Sequence, residues 1–174
     1  MSSMMTRRRS LGCLACAPLF SACGQQAAKA TGPQEVQAGT SCDLDGMLLA
    51  DYPGPKAQIH YKDRPEPQFL CDTVEMFSLL LKPEQLRPVR AVYVQDMGQA
   101  DWERPEGHWV DAKQAFFVRG SKRRGSMGPT LASFAQRTDA EAFVKQWGGE
   151  LHAFAQVTVE MVDLSGGALH DSRM

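Results

Sequence analysis

Several sequence patterns that would assign this chain to a common functional class are absent. After residue 22, the 174-residue sequence has no Cys-x-x-Cys pair and no His-x-x-x-His pair, which are the spacings typical of zinc fingers; the one Cys-x-x-Cys pair, Cys13 with Cys16, lies in the first 22 residues. It also has no Walker phosphate loop, no dinucleotide fingerprint and no Gly-x-Ser-x-Gly nucleophile elbow. Enzyme classes that depend on these motifs have no support here, and we expect the protein not to be an enzyme.

Strong charge and long apolar runs are missing as well. With 19 basic and 20 acidic residues, the formal net charge is −1. A chain without a basic excess lacks the electrostatic footprint of a nucleic-acid-binding protein, so we expect no nucleic acid partner. No apolar run approaches the roughly 18 residues that a membrane-spanning helix needs.

The first residues form the pattern of an export signal. Residues 7–9 are three arginines, residues 11–20 are mostly apolar, and two small residues precede Cys23. We predict that residues 1–22 are a signal peptide and that Cys23 is the lipidated N-terminus of a bacterial lipoprotein. The alternative is an ordinary cleaved signal in which Cys23 has no role. The arginines leave both the general and the twin-arginine export routes open.

The rest of the chain divides into a tether, a body and a tail. Residues 23–40 contain too little apolar surface to fold and are typical of a flexible tether. The body shows the order strand, strand, helix, strand twice, which predicts an α+β fold of two packed ββαβ units. We place these units at residues 41–97 and 98–164, with a tail at 165–174.

Local patterns give the expected elements of each unit. Asp72 with Glu75, and Thr138 with Glu141, are spaced as capping boxes that open the two helices. The elements predicted for the first unit are strands 58–61, 68–71 and 91–95 with a helix over 74–81. Those predicted for the second unit are strands 109–110, 115–119, 131–135 and 151–161, a glycine-rich loop at 120–129 and a helix opened by Thr138.

The remaining candidate site residues are cysteines and methionines, whose side chains contain sulfur. Of five cysteines, only Cys42 and Cys71 lie in the predicted body, and Cys42-Asp-Leu-Asp-Gly-Met47 places a thiol and a thioether five residues apart. Met127 lies in Gly125-Ser-Met-Gly-Pro129, where it has no regular face on which to pack. One thiolate with thioethers favours soft Cu(I) over hard ions, and thioethers cannot be consumed as a disulfide. This chemistry makes Cys42, Met47 and Met127 candidate ligands of a Cu(I) site.

Four segments of the chain resemble the NosL family of copper-binding lipoproteins, which are accessory proteins for assembling nitrous oxide reductase. The family opening often reads Cys-x-x-Cys-Gly-Met, and here Asp45 replaces the second cysteine. The segments are Cys-Asp-Leu-Asp-Gly-Met-Leu-Leu-Ala-Asp-Tyr-Pro-Gly-Pro-Lys-Ala-Gln-Ile (42–59), Phe69-Leu-Cys-Asp-Thr-Val-Glu-Met-Phe77, Trp109-Val-Asp-Ala112 and Ser126-Met-Gly-Pro129.

The resemblance implies a location, a cargo and a partner. A member of this family is expected in the bacterial periplasm, anchored to a membrane through lipid at Cys23, where it binds Cu(I) and delivers it towards nitrous oxide reductase and its assembly machinery. The residues that match the family motifs are Cys42, Met47 and Met127. The family fold is similar to two ββαβ units, which agrees with the repeat described above.

Two other functions stay open on the sequence. Cys42 and Cys71 could form a disulfide, which would stabilise a metal-free lipoprotein by roughly 2–4 kcal/mol. The family fold is also similar to that of alkylmercury lyase, an enzyme that uses a cysteine pair and an acid, and Cys42, Cys71 and an aspartate could imitate that set.

Overall fold

The structure is a computed structural model that describes residues 32–82 and 84–162. The predicted signal peptide, lipidation residue and tail lie outside the described residues, as does the tether before residue 32. In the described part of the chain, no helix is both long and apolar enough to cross a membrane.

Seven strands and two α-helices form the body of the described chain. The elements are β1 (Ala57–Tyr61), β2 (Gln68–Leu70), α1 (Thr73–Leu80), β3 (Val89–Gln95), β4 (Trp109–Asp111), β5 (Phe116–Gly125), β6 (Gly128–Phe134), α2 (Arg137–Trp147) and β7 (Glu150–Ala153). Strands β1, β2, β3 and β4 make one antiparallel sheet in the order β2-β1-β3-β4, and β5, β6 and β7 make a second in the order β6-β5-β7. The α+β class is confirmed, and its two ββαβ units are β1-β2-α1-β3 and β5-β6-α2-β7.

Strand β4 extends the first sheet, although it follows the predicted boundary between the units. It pairs with β3 through Tyr93 and Asp111 at one end and through Gln95 and Trp109 at the other. Strand pairing alone does not set a domain boundary, so the boundary between residues 97 and 98 stays a prediction.

Helix α1 joins the two sheets because it contacts β1 of the first and β6 of the second. Its Phe77 packs edge-to-face on Phe117 of β5, with ring centroids 4.9 Å apart. Successive side chains of a strand point to opposite faces. Phe117 therefore belongs to the core around α1, while Val118 packs with Phe134 and Ala140 in a second core beneath α2.

The prediction of a loop over residues 120–129 is wrong. Strand β5 continues to Gly125 and β6 begins at Gly128, so only Ser126 and Met127 separate the two strands. The pairing register of these strands shifts between Arg119 and Arg124. The glycines of this segment thus belong to a bulged hairpin, an irregularity that strand patterns do not reveal.

Two further local predictions are wrong in the second unit. Helix α2 starts at Arg137 after an N-cap without a side-chain hydrogen bond, so Thr138 and Glu141 form no capping box. Glu141 instead pairs with Arg137, with 2.8 Å between the charged atoms. Strand β7 ends at Ala153, where its pairing with β5 ends, and Phe154 turns inward to pack 5.1 Å from the ring of Phe77.

Candidate metal centre

A tight loop positions the first predicted ligand. The Cys42 N–H donates to the Met47 carbonyl at 2.8 Å, and the Gly46 N–H donates to the Cys42 carbonyl at 2.9 Å. Gly46 has φ 81°, a left-handed conformation that glycine adopts without steric cost. The Asp43 N–H donates to the carbonyl of Phe69 at 2.8 Å, which attaches the loop to β2. Cys42 is thereby held close to the residue that follows β2.

That residue is Cys71, and helix α1 begins directly after it. The Asp72 carboxylate accepts the Val74 N–H at 2.9 Å, which confirms its prediction as the N-cap. The second half of the predicted capping box is wrong, because Glu75 Oε2 accepts the N–H of Cys71 at 3.1 Å. Glu75 is therefore turned towards the end of β2, where the thiols lie.

Two thiols and two carboxylates converge at this point. Glu75 Oε2 lies 3.3 Å from the Sγ atoms of both Cys42 and Cys71, and Asp45 Oδ2 lies 3.6 Å from Cys71 Sγ. One potential ligand atom from each of the four residues lies within 4.8 Å of the others. Cys42, Cys71 and Glu75 are buried, whereas Asp45 is exposed, so the cluster meets solvent on the Asp45 side. Both cysteines are free thiols.

The two thiols have opposite acid–base properties. A hydrogen bond from the Cys71 thiol lowers the pKa of Cys42, against the opposing effect of burial, and backbone hydrogen bonds lower it further. The same hydrogen bond raises the pKa of Cys71, and burial and the charge of Glu75 raise it too. Cys42 is therefore the first of the pair to become a thiolate, the form that binds metals.

A buried cation lies beside the cluster. Lys56 Nζ donates to the carbonyls of Tyr52 at 2.8 Å and Pro53 at 3.0 Å, and to Ser126 Oγ at 2.7 Å. Burial lowers the pKa of Lys56 to about 8, although the charges of the neighbouring acidic and thiol groups oppose that shift. Near neutral pH the ammonium is thus still charged, and it offsets negative charge in the cluster.

The predicted thioether ligands lie on segments that contact this cluster. Met47 pairs through its backbone with Cys42, and its side chain packs against the core. Met127 lies in the turn between β5 and β6, with 37% of its surface exposed. The preceding residue, Ser126, donates from Oγ to the carbonyl of Cys71 at 2.7 Å, so the turn is fixed beside that thiol.

A second contact fixes the same hairpin to the start of α1. Thr130 Oγ1 donates to Asp72 Oδ1 at 2.8 Å, and Gly125 approaches Asp72 so closely that a Cβ there would collide with Oδ2. Asp72 is fully buried, and burial raises the pKa of its carboxyl to about 6. The hairpin that carries Met127 therefore depends on close packing between Gly125 and Asp72.

Sequence reasoning missed the roles of Cys71 and Glu75 at this centre. It treated Cys71 as a disulfide partner or as part of a lyase-like set, and Glu75 as a helix cap. Their spacing of four residues at a helix start, with the glutamate as the one charged residue of α1, was the available signal. His60, which was not predicted as a ligand, is buried in β1 and bonds to Gln58 at 2.9 Å.

An α+β fold with clustered thiols, carboxylates and nearby thioethers defines a protein with a candidate soft-metal site. A sequence profile of NosL matches residues 33–162. The chain belongs to the NosL family, which confirms the resemblance found in the sequence.

Curated relatives and a solved structure agree with this assignment. The chain is 39% identical over 163 residues to the copper-binding lipoprotein NosL of Achromobacter cycloclastes, covering 91% of this chain and 84% of the relative. It is 38% identical over 135 residues to the protein of the same name from Stutzerimonas stutzeri, covering 75% and 70%. The crystal structure of the copper chaperone NosL from Shewanella denitrificans superposes with a TM-score of 0.71 at 39% identity, covering 74% of this chain and 97% of that one.

Proposed function

We propose that this protein is a Cu(I)-binding copper chaperone, not an enzyme, that delivers copper for the maturation of nitrous oxide reductase. The names of the relatives support copper as the cargo. The ligands we assign are the thiolate of Cys42 and the thioethers of Met47 and Met127. These soft donors favour Cu(I), and a thioether binds it without losing a proton.

One observation carries this proposal. Cys42 is buried beside Glu75, whereas Met127 is exposed on a turn that Ser126 anchors to the Cys71 carbonyl. A metal bound between a buried thiolate and an exposed thioether is retained by the protein but can still be reached by ligands of a partner. This accessibility distinguishes a carrier from a structural site, in which four protein ligands leave no open position on the metal.

The proposed location follows from the start of the chain. Lipid at Cys23 would anchor the protein to a membrane facing the periplasm, and the residues between Cys23 and Gln34, whose backbone bonds to Gln58 of β1, would let the domain reach nitrous oxide reductase or its assembly machinery. The curated relatives are named lipoproteins, which supports this location. Labelling cells with a radioactive fatty acid tests it, because the wild-type chain should incorporate the label and Cys23→Ser should not.

The delivery step is tested in cells that lack this protein. Restoring the wild-type chain should restore the copper content of purified nitrous oxide reductase, and Cys42→Ser should not. Met97→Leu is a matched control because Met97 packs against the second core, away from the cluster. Normal copper loading of the reductase in the Cys42→Ser strain would contradict the proposal.

The metal-free alternative makes a different prediction about the thiols. If Cys42 and Cys71 formed a structural disulfide, protein purified without reductant would show neither as a free thiol, and a Cys42 thiolate ligand would be ruled out. We expect both to be free after anaerobic purification, and peptide mapping after alkylation of the unfolded chain measures this directly.

One observation favours a test of the lyase-like alternative as well. Cys42, Cys71 and Asp45 lie together, and they are the residue types of a cysteine pair with an acid. We expect no cleavage of a carbon–mercury bond, because the relatives are named for copper binding and transport. Release of hydrocarbon from an organomercurial by the wild-type protein, but not by Asp45→Asn, would favour the enzyme instead.

A further inference from the structure

The Cys71 thiol has no role in the ligand set assigned above. It is completely buried, it follows β2 directly, and it shares the Oε2 atom of Glu75 with Cys42. We propose that Cys71 is a second thiolate ligand, so that this chain holds Cu(I) between Cys42 and Cys71. This inference rests on the proposed function and specifies the ligands of the same site.

The sulfur atoms of Cys42 and Cys71 are close enough to bind one ion together, with the thioethers assigned above as its further ligands. The Sγ atoms of Cys42 and Cys71 lie no more than 4.8 Å apart. A thiolate–metal bond is about 2.3 Å long for zinc, so two thiolates on opposite sides of an ion of similar size lie about 4.6 Å apart. Two sulfurs no farther apart than about this distance can therefore both bond to one such ion.

Hydrogen bonds to the backbone hold each cysteine in place. The Cys42 loop is closed by its own bond to Met47 and attached to β2 through Asp43. Cys71 is held through its N–H by Glu75 and through its carbonyl by Ser126. Because each thiol is positioned before metal arrives, binding requires little rearrangement of the backbone.

Two thiolates would add negative charge beside Glu75, and Lys56 is a nearby cation that can offset it. When two thiols bind one Cu(I), both S–H bonds break and two protons leave, so the resulting copper–dithiolate unit has a charge of −1. The ammonium of Lys56 is buried beside this position and compensates that charge. Glu75, which accepts hydrogen bonds from both thiols, is a positioning residue because oxygen is a poor ligand for Cu(I).

Sulfur coordination in the Cu(I)-loaded chain tests this inference. By copper X-ray absorption, Cys71→Ser should have one sulfur neighbour fewer than wild type and should bind Cu(I) at least about tenfold more weakly. Glu75→Gln should keep the wild-type number of sulfur neighbours. If Cys71→Ser keeps that number, Cys71 is not a ligand, whether or not affinity falls.

A measurement on the wild-type chain covers the case in which Cys71→Ser does not fold. With ¹³C-labelled cysteine, addition of Cu(I) should shift the Cβ resonances of both Cys42 and Cys71. A shift for Cys42 alone would overturn this inference and leave the proposed function standing. Failure of the wild-type chain to bind Cu(I) at all would overturn both.

Discussion

Glu75 Oε2 lies 3.3 Å from the Sγ of Cys42, a residue 33 positions earlier in the chain. The same oxygen accepts the N–H of Cys71 and contacts its thiol, so one carboxylate organises both cysteines. The loop before β1 and the first turn of α1 are thus joined through a single buried side chain. The stability of the fold and the geometry of the metal centre both depend on this contact.

Removal of the Glu75 carboxylate should destabilise the protein. In Glu75→Ala, the buried N–H of Cys71 would lose its partner, which costs roughly 1–3 kcal/mol. Glu75→Gln should lose less, because its amide oxygen can still accept that bond. Urea denaturation of the metal-free protein measures both changes, and equal stabilities of Glu75→Ala and wild type would contradict the assigned role.

Gly125 should tolerate no side chain. A Cβ at this position would collide with Asp72 Oδ2 and would lie 2.8 Å from the Cβ of Thr130. We expect Gly125→Ala to lower the free energy of unfolding by about 1–3 kcal/mol, as overpacking does elsewhere. Gly39→Ala is the matched control, since nothing lies within 4 Å of a Cβ there. A thermal melt that is the same for Gly125→Ala and Gly39→Ala would show that the hairpin is not packed as described.

The Asp72 carboxyl should make stability depend on pH between about 4 and 6. Burial raises its folded-state pKa to about 6, above the ordinary value of 3.8. Between these values the folded state binds more protons than the unfolded state, so the Asp72 contribution to stability falls as pH rises.

The variant Asp72→Asn isolates that contribution, because its amide oxygen can still accept from Val74 and Thr130. The unfolding free energy of the wild type minus that of the variant should therefore decrease by on the order of 2 kcal/mol from pH 4 to pH 6. A difference that is flat with pH, or that rises, would contradict the raised pKa.

Local sequence patterns predicted those elements that depend on local contacts. The N-cap at Asp72 and the helix that follows it depend on nearby residues, and the structure confirms the cap. Glu75 was misassigned because its spacing from Asp72 suited a capping box, while its actual partners include Cys42, which only the tertiary fold brings near. Similarly, the bulge between Arg119 and Arg124 made a strand look like a loop.

The candidate site was predicted only in part for the same reason. Met47 and Met127 could be singled out as methionines beside glycines, and Cys42 as a thiol close to Met47; all three remain predictions as ligands. Cys71 enters the site because Asp43 attaches the first loop to β2, a contact that sequence spacing does not encode. The family resemblance implied the fold and the cargo, but it did not assign a ligand role to Cys71.

The central claim is most directly tested by an anaerobic competition titration with a Cu(I)-specific chelator. The wild-type chain should bind one Cu(I), and Cys42→Ala and Met127→Ala should lose it or bind it much more weakly. Met97→Leu, changed at a methionine of the second core, should match wild type. Cu(I) binding as tight as wild type in both Cys42→Ala and Met127→Ala would show that the assigned site is wrong.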